Sequence, residues 1–138
     1  MRTSPKLLRR AVLVAAGLAA SGAYASERVT AGKWESKMVT DGETRTIAFC
    51  LDAEQATALN ADSKAGRDFA ARKAGDRCSV KAYEARGDTV SYTLVCGART
   101  ISDLTHYHGD TSEAVKTTTV EGKATTTTLK SRRLGACP

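Results

Sequence analysis

The sequence predicts a mainly β fold, a small antiparallel β-meander of about seven strands in a curved or barrel-like sheet, with one short helix inserted after the second strand. Three observations carry this prediction. Apolar and polar residues alternate in short segments, as they do in half-buried strands. Turn residues such as Asp41-Gly42, Gly109-Asp110 and Glu121-Gly122 separate these segments at hairpin spacing. Four cysteines in a chain of 138 residues are typical of a small domain stapled by disulfides.

The first hairpin is predicted within residues 26–49. From Trp34 to Met38, every second side chain belongs to one face of the strand, and charged residues lie between them. Asp41-Gly42 is a strong signal for a two-residue turn. Residues 44–49 then return as the second strand and lead into Cys50.

A helical region is predicted between the second and third strands. Asp52 and Gln55 have the spacing of a capping box, in which each side chain satisfies a backbone amide at the start of a helix. A short helix is therefore expected over residues 53–60. Residues 64–73 form a second helical or irregular segment, in which Phe69 is the only large apolar anchor. We expect this segment to lie against the edge of the sheet.

The rest of the chain is predicted to form further strands linked by short turns. Their expected bounds are residues 78–85, 89–96, 99–107, 112–120 and 124–131. Threonine is frequent in the last two of these strands, and it suits a pleated surface. Because tight turns join consecutive strands, each strand should pair antiparallel with the next.

Cys78 and Cys96 are equally far from Gly87, which predicts a hairpin centred on that glycine with a three-residue loop. In this register Cys78 lies opposite Cys96 and Val80 lies opposite Leu94, so one face is mostly apolar. Directly opposed residues of an antiparallel pair are close enough for a disulfide after a small adjustment. We therefore predict a Cys78–Cys96 disulfide.

The same register has two further consequences. Ala82 is expected opposite Tyr92 on the apolar face, whereas Tyr83 is expected on the other, mostly polar face. The two cysteines that remain, Cys50 and Cys137, are expected to form the second disulfide. That bond would hold the C-terminus beside the start of the helix.

The first 25 residues are typical of a signal peptide. Residues 1–10 contain four basic residues and no acidic one, and residues 11–20 are apolar but too short to span a bilayer. Ala23-Tyr24-Ala25 provides the small-x-small pattern of a cleavage site, so we expect cleavage after Ala25. The expected product is a single domain of residues 26–138, periplasmic or secreted, without a transmembrane segment.

Removal of the leader changes the charge balance. The whole chain has a net charge of +6, whereas residues 26–138 carry 17 basic and 15 acidic residues, or +2. Most basic residues are interleaved with acidic ones, so nucleic acid is not an expected partner. Only Lys130, Arg132 and Arg133 form a local basic cluster.

Four motifs together resemble a known family. They are Ala31-Gly32-Lys33-Trp34-Glu35, Cys50-Leu51 before a short helix, the Cys78 and Cys96 hairpin, and Arg132-Arg133-Leu134-Gly135-Ala136-Cys137. This set resembles the bacterial exported family called domain of unknown function 3617, across essentially the whole mature chain. The resemblance implies a small, envelope-exported, disulfide-containing domain, and it supplies no catalytic residue.

Two candidate sites are visible in the sequence. His106 and His108 are two residues apart on a predicted strand, a spacing compatible with a metal to which Asp103 or Asp110 adds an oxygen ligand. The competing interpretation is a polar strand end beside a solvated turn. The cluster at Arg132 and Arg133 suits an anionic headgroup or glycan. Its competing interpretation is an edge strand guarded by charge.

These observations favour a non-enzymatic binding or accessory module of the cell envelope, with no cofactor and no catalytic constellation in view. Its partner is expected to be a small amphipathic ligand or an envelope protein. One alternative is a small metal-dependent enzyme that uses His106 and His108. Another is a structural envelope protein that acts through protein partners.

Overall fold

The computed structural model describes residues 27–138, so the predicted signal peptide lies outside the described residues. Its strands are β1 (Gly32–Thr40), β2 (Glu43–Leu51), β3 (Ser79–Arg86), β4 (Thr89–Cys96), β5 (Arg99–Tyr107), β6 (Thr111–Val120) and β7 (Lys123–Gly135). Its helices are α1 (Ala53–Asn60) and α2 (Ser63–Ala74), followed by a 3-10 turn at Gly75–Arg77. The mainly β fold with a short helix after the second strand is confirmed.

The described strands form one antiparallel sheet in the spatial order β2-β1-β7-β6-β5-β4-β3. Each strand pairs with its neighbour in sequence except where the helices intervene, and β1 returns to pair with β7. The sheet is open, because β2 and β3 are its two edges and do not pair with each other. It is nevertheless curved, since side chains from β2 and from β4 line one pocket. We call the pocket side of the sheet the inner face and the opposite side the outer face.

The β3–β4 hairpin differs from the predicted register. Its loop contains two residues, Gly87 and Asp88, and Gly87 has a φ of 57°, as the first position of a type II′ turn requires. A β-bulge at Lys81 absorbs the extra residue, so the predicted pairing holds only at the end of the hairpin near the cysteines. Beyond the bulge the register shifts, and the predicted Ala82–Tyr92 pair is wrong. Tyr83 lies opposite Tyr92 instead.

The bulge changes the face on which Tyr83 lies. The sequence predicted an outward Tyr83, but its ring lies on the inner face beside Gly66 of α2. Gly66 is buried, and a Cβ built on it would overlap the Tyr83 ring. Arg67 reaches from the same helix to the backbone oxygen of Val80 on β3, at 3.1 Å. Helix α2 therefore packs on the edge strand, as predicted.

Both helices begin with a side-chain cap. Asp52 accepts a hydrogen bond from the Gln55 amide at 2.8 Å, and the Gln55 side chain accepts one from the Asp52 amide at 3.0 Å, which confirms the capping box. Asp62 caps α2 by accepting from the Ala65 amide at 2.8 Å. The segment after α1 is thus a regular helix, the helical one of the two forms predicted for it.

The structure contains both predicted disulfides. Cys78–Cys96 closes the open end of the β3–β4 hairpin, with Cα atoms 4.1 Å apart. Cys50–Cys137 joins the end of β2 to the C-terminus across 87 residues of sequence. The second bond spans β1, because Lys33 pairs with Cys50 on one side and with Gly135 on the other.

The buried core lies at one end of the inner face. Val29, Trp34, Leu51 and Ala56 form it, and Tyr107 packs against them. Leu51 and Ala56, on either side of the helix start, belong to the same cluster, as the positions of a hydrophobic staple require.

The segment that precedes β1 closes this end of the sheet. Asn60, at the end of α1, exchanges two hydrogen bonds with the Val29 backbone, at 3.0 and 2.9 Å. The Arg28 guanidinium donates to the backbone oxygens of Leu59 and Ala61 at 2.7 and 2.9 Å, which satisfies carbonyls at the helix C-terminus. The N-terminal segment and α1 are consequently fixed to one another.

Candidate ligand-binding site

The inner face of the curved sheet holds an open pocket of about 340 Å³. One wall is apolar and consists of Trp34, Ile47, Phe49, Leu51 and Leu129. The floor is polar and includes Ser36, Tyr92, Asp103, Thr105, Tyr107, Ser112, Lys116 and Ser131. The pocket therefore presents two chemically distinct regions to one occupant.

Strand alternation explains why these side chains meet. Every second residue of β5 points inward, so Asp103, Thr105 and Tyr107 share the inner face. Cross-strand pairing then aligns them with neighbours: Asp103 lies opposite Tyr92 on β4 and opposite Lys116 on β6. Tyr92, Asp103 and Lys116 thus form a cross-strand row within the polar floor, with one member from each of three adjacent strands.

Two side chains of the apolar wall are exposed, although their residue types are usually buried. Ile47 is 47% exposed and Phe49 is 41% exposed, and both lie on the inner face of the edge strand β2. Phe49 lies opposite Trp34, which is buried. These side chains extend the core into the pocket without being covered, so the pocket offers apolar area that a ligand can bury.

Asp103 is the one carboxylate on the floor of the pocket, and it is only 9% exposed. Its Oδ1 accepts a hydrogen bond from Thr105 Oγ1 at 2.7 Å. Burial raises the pKa of the carboxyl, because the low-dielectric surroundings disfavour its charged form, and the Thr105 bond and the Lys116 charge oppose this rise. The surroundings of Asp103 therefore disfavour its charged form, and the Thr105 bond and Lys116 offset part of that effect.

Two tyrosines flank this carboxylate. Tyr92 and Tyr107 both line the pocket, and burial is the main reason that the pKa of each hydroxyl lies well above its usual value. The nearby Asp103 charge adds to both shifts, since a second negative charge is disfavoured beside it. Both tyrosines are consequently neutral hydrogen-bonding groups with accessible aromatic surface.

The hydroxyl groups along β1 and β7 bind each other. Ser36 and Ser131 are directly opposed, and their hydroxyl oxygens are 2.5 Å apart. Thr40 and Thr127 form the same kind of pair at 2.6 Å. Neither serine has an imidazole or other base as its hydrogen-bond partner. These groups stabilise the seam between β1 and β7.

The two histidines lie away from the pocket. His106 is on the outer face, with Nδ1 3.0 Å from Thr89 Oγ1, and His108 follows the end of β5 and donates its backbone amide to Thr111 at 2.8 Å. Asp103 points to the opposite face from His106, so the structure does not bring these two candidate ligands together. Among residues 27–138, no group of three or more His, Cys, Asp or Glu side chains is placed to hold a metal.

The arginine pair lies in the interior of the sheet and not on its edge. β7 pairs with both β1 and β6, which corrects the prediction of a charged edge strand. Arg132 forms an ion pair with Glu35 at 2.9 Å on the outer face. Arg133 donates to the Ala31 backbone oxygen at 2.8 Å. Both guanidinium groups therefore bind this chain's own β1 region.

The residues of the pocket floor were not singled out together from the sequence. The inward position of Asp103 follows from the alternation along β5, and that signal was available. Its proximity to Tyr92 and Lys116 depends on the register of two hairpins, which alternation does not fix. The exposure of Ile47 and Phe49 depends on the sheet remaining open at β2.

The fold and the pocket define a class of small disulfide-linked proteins with one open, curved antiparallel sheet and an uncovered inner face. The chain matches the family described as "Protein of unknown function (DUF3617)" over residues 29–137, and it belongs to that family. The match confirms the family resemblance of the sequence motifs. No curated protein and no solved structure is significantly similar to the chain.

Proposed function

We propose that this protein is an exported, non-enzymatic binding module that holds a small amphipathic ligand on the inner face of its sheet. One observation carries the proposal: an open pocket in which the exposed apolar side chains Ile47 and Phe49 stand opposite a polar floor. An amphiphile matches both regions, since its chain buries apolar area and its head meets the polar groups.

The size of the pocket supports a small ligand. Its volume of about 340 Å³ lies at the lower end of the range of about 300–1,000 Å³ that is typical of small-molecule sites. A single alkyl chain suits this space better than a two-chain lipid. The ligand would lie along β2 and β1 and extend toward β5.

Export to the periplasm or the medium is part of the proposal. Two disulfides are compatible with an oxidising compartment, and the signal-peptide pattern of residues 1–25 is of the kind that directs export. Neither helix in the described part of the chain is long and apolar enough to cross a membrane.

The chemistry of the pocket favours binding over catalysis. Ser36 and Ser131 are hydrogen-bonded to each other, and both histidines lie outside the pocket, so neither serine is paired with a general base. All four cysteines are in disulfides and are not nucleophiles. These arrangements support the assignment as a non-enzyme.

The proposal is tested with Trp34, the chain's single tryptophan, which lines the pocket and reports its occupancy by fluorescence. Dodecyl maltoside, a non-ionic amphiphile, is titrated below its micelle-forming concentration. We expect saturable binding, and we expect Ile47→Ser to weaken it roughly fivefold, because about 1 kcal/mol of apolar burial is lost.

A matched control on the outer face tests whether the effect of Ile47→Ser is specific to the inner face. Val115 is 46% exposed, against 47% for Ile47, but it lies on the outer face of β6. Val115→Ser should leave the affinity of dodecyl maltoside unchanged. Equal weakening by both substitutions, or no saturable change in Trp34 fluorescence, would exclude the inner face as a binding site.

A further inference from the structure

The polar floor of the pocket contains a carboxylate oxygen that is not used within the protein. Oδ1 of Asp103 is bound to Thr105, whereas no donor among the described residues contacts Oδ2. Oδ2 is not sealed in the interior, because residues 27–138 contain no fully buried polar side-chain atom without a partner. The unused oxygen therefore faces the pocket that Asp103 lines.

Lys116 forms no ion-pair contact with this carboxylate, although its charge favours the ionised form of Asp103. It is the cross-strand neighbour of Asp103 on β6, yet Asp103 takes part in none of the ion pairs in the described part of the chain. Lys116 is half-buried, and its charge acts on Asp103 without an ion-pair contact. The position next to Oδ2 therefore remains available to a cation.

Two tyrosines line the pocket together with this carboxylate. Tyr92 lies directly opposite Asp103, and Tyr107 lines the pocket on the same strand as Asp103. The face of an aromatic ring attracts a cation, and the attraction is larger when the cation is removed from water. The carboxylate and the neighbouring Tyr92 therefore offer groups that suit a positively charged head, with Tyr107 in the same pocket.

Binding of a cation lowers the free energy of a buried carboxylate more than that of an exposed one. A charged group in a low-dielectric site is costly while unpaired, and that cost falls when an opposite charge binds to it. The apolar wall at Ile47 and Phe49 lies in the same pocket, so one molecule can reach both regions.

We propose that the pocket selects single-chain amphiphiles whose head is a primary ammonium group. The ammonium donates to Asp103 Oδ2 beside Tyr92, and the alkyl chain lies along Ile47 and Phe49. This inference rests on the proposed function and adds to it the chemical class of the head.

Calorimetric titration at neutral pH tests the inference with three probes that share one alkyl chain: dodecylammonium, dodecyl sulfate and dodecyl maltoside, each below its micelle-forming concentration. We expect the wild type to bind dodecylammonium about tenfold more tightly than dodecyl sulfate. The mature chain has a net charge of +2, so its overall field opposes this order. A preference for the cation therefore reports a local site.

Two substitutions locate that site. Asp103→Asn should abolish the preference for dodecylammonium over dodecyl sulfate. Glu113→Gln removes a carboxylate from the outer face of β6, where Glu113 is exposed and 3.6 Å from Lys130, and it should retain the preference.

Three results would overturn the inference. They are tighter binding of dodecyl sulfate, equal binding of both ionic probes, and an ammonium preference that persists in Asp103→Asn. In each of these cases continued binding of dodecyl maltoside would leave the proposed function standing. Failure of all three probes to bind would overturn both the inference and the proposed function.

Discussion

Asp103 is the residue whose placement is hardest to explain by stability alone. A carboxylate that is 9% exposed has lost most of its hydration, and Thr105 returns one hydrogen bond to one of its two oxygens. Leaving a buried charge incompletely paired destabilises a fold. An asparagine of the same shape would keep the Thr105 bond without the charge, which is consistent with a role for the charge in binding.

The burial of Asp103 makes the stability of the protein depend on pH. Because burial raises the pKa of Asp103 in the folded protein above 3.8, the folded state holds this proton more tightly than the unfolded state. The contribution of Asp103 to the free energy of unfolding is therefore least favourable at a pH above its pKa in the folded state. It becomes more favourable as the pH falls through that pKa. Asp103→Asn should be more stable than the wild type at pH 7, and the difference should shrink at lower pH.

Thermal unfolding of both proteins across the acidic and neutral range measures this difference. The charged and titratable groups around Asp103 are Lys116, Tyr92 and Tyr107, and the raised pKa values of the two tyrosines keep both neutral over that range. Glu113→Gln serves as the exposed-carboxylate control. A wild type that is more stable than Asp103→Asn at pH 7 would contradict this account of the residue.

At the scale of elements, hairpin spacing and local capping are predictable, but strand register is not. Asp52 and Gln55 form the predicted capping box because its partners are three residues apart. The predicted register of β3 and β4 is wrong near the turn, because Gly87 begins a two-residue turn. The bulge at Lys81 takes up the residue that this shorter turn leaves over. The equal spacing of Cys78 and Cys96 from Gly87 is compatible both with a three-residue loop and with a two-residue loop followed by a bulge.

The packing of α2 on β3 depends on that bulge. It turns Tyr83 inward, where the ring occupies the space beside Gly66. Gly66→Ala should therefore destabilise the protein by about 1–3 kcal/mol through overpacking, although alanine has the higher helix propensity. Chemical denaturation of the variant measures the change in the free energy of unfolding.

A double-mutant cycle gives the control. In a Tyr83→Ala background the space beside Gly66 is empty, so the same Gly66→Ala substitution should stabilise by up to about 1 kcal/mol. An identical effect of Gly66→Ala in both backgrounds would show that the helix does not dock through this contact.

At the scale of the molecule, the family motifs hold the first strand of the chain against the last one. Gly32 of the opening motif lies so close to Gly135 of the closing motif that a Cβ on it would overlap the Gly135 oxygen. Arg132 pairs with Glu35, and Cys137 is bonded to Cys50 at the end of β2. The opening and closing motifs lie where β1 pairs with β7 and where the Cys50–Cys137 disulfide forms. They therefore predict the fold, but they do not predict which residues line the pocket.

The open edge at β2 is the whole-molecule feature that makes the pocket available. A sheet closed by pairing β2 with β3 would cover Ile47 and Phe49, and the sequence pattern alone suits a closed and an open sheet equally. The central claim is therefore that the open inner face carries an amphiphile.

Native mass spectrometry tests this claim most directly, on the protein expressed in a bacterium with its own N-terminal segment and recovered from the periplasm. We expect a chain that begins at Ser26, contains both disulfides, and carries an additional small-molecule mass that is released on denaturation. The fraction of the protein that carries this additional mass should be smaller in Ile47→Ser and unchanged in Val115→Ser. A bare, disulfide-bonded chain that also takes up no added dodecylammonium or dodecyl maltoside would contradict the claim.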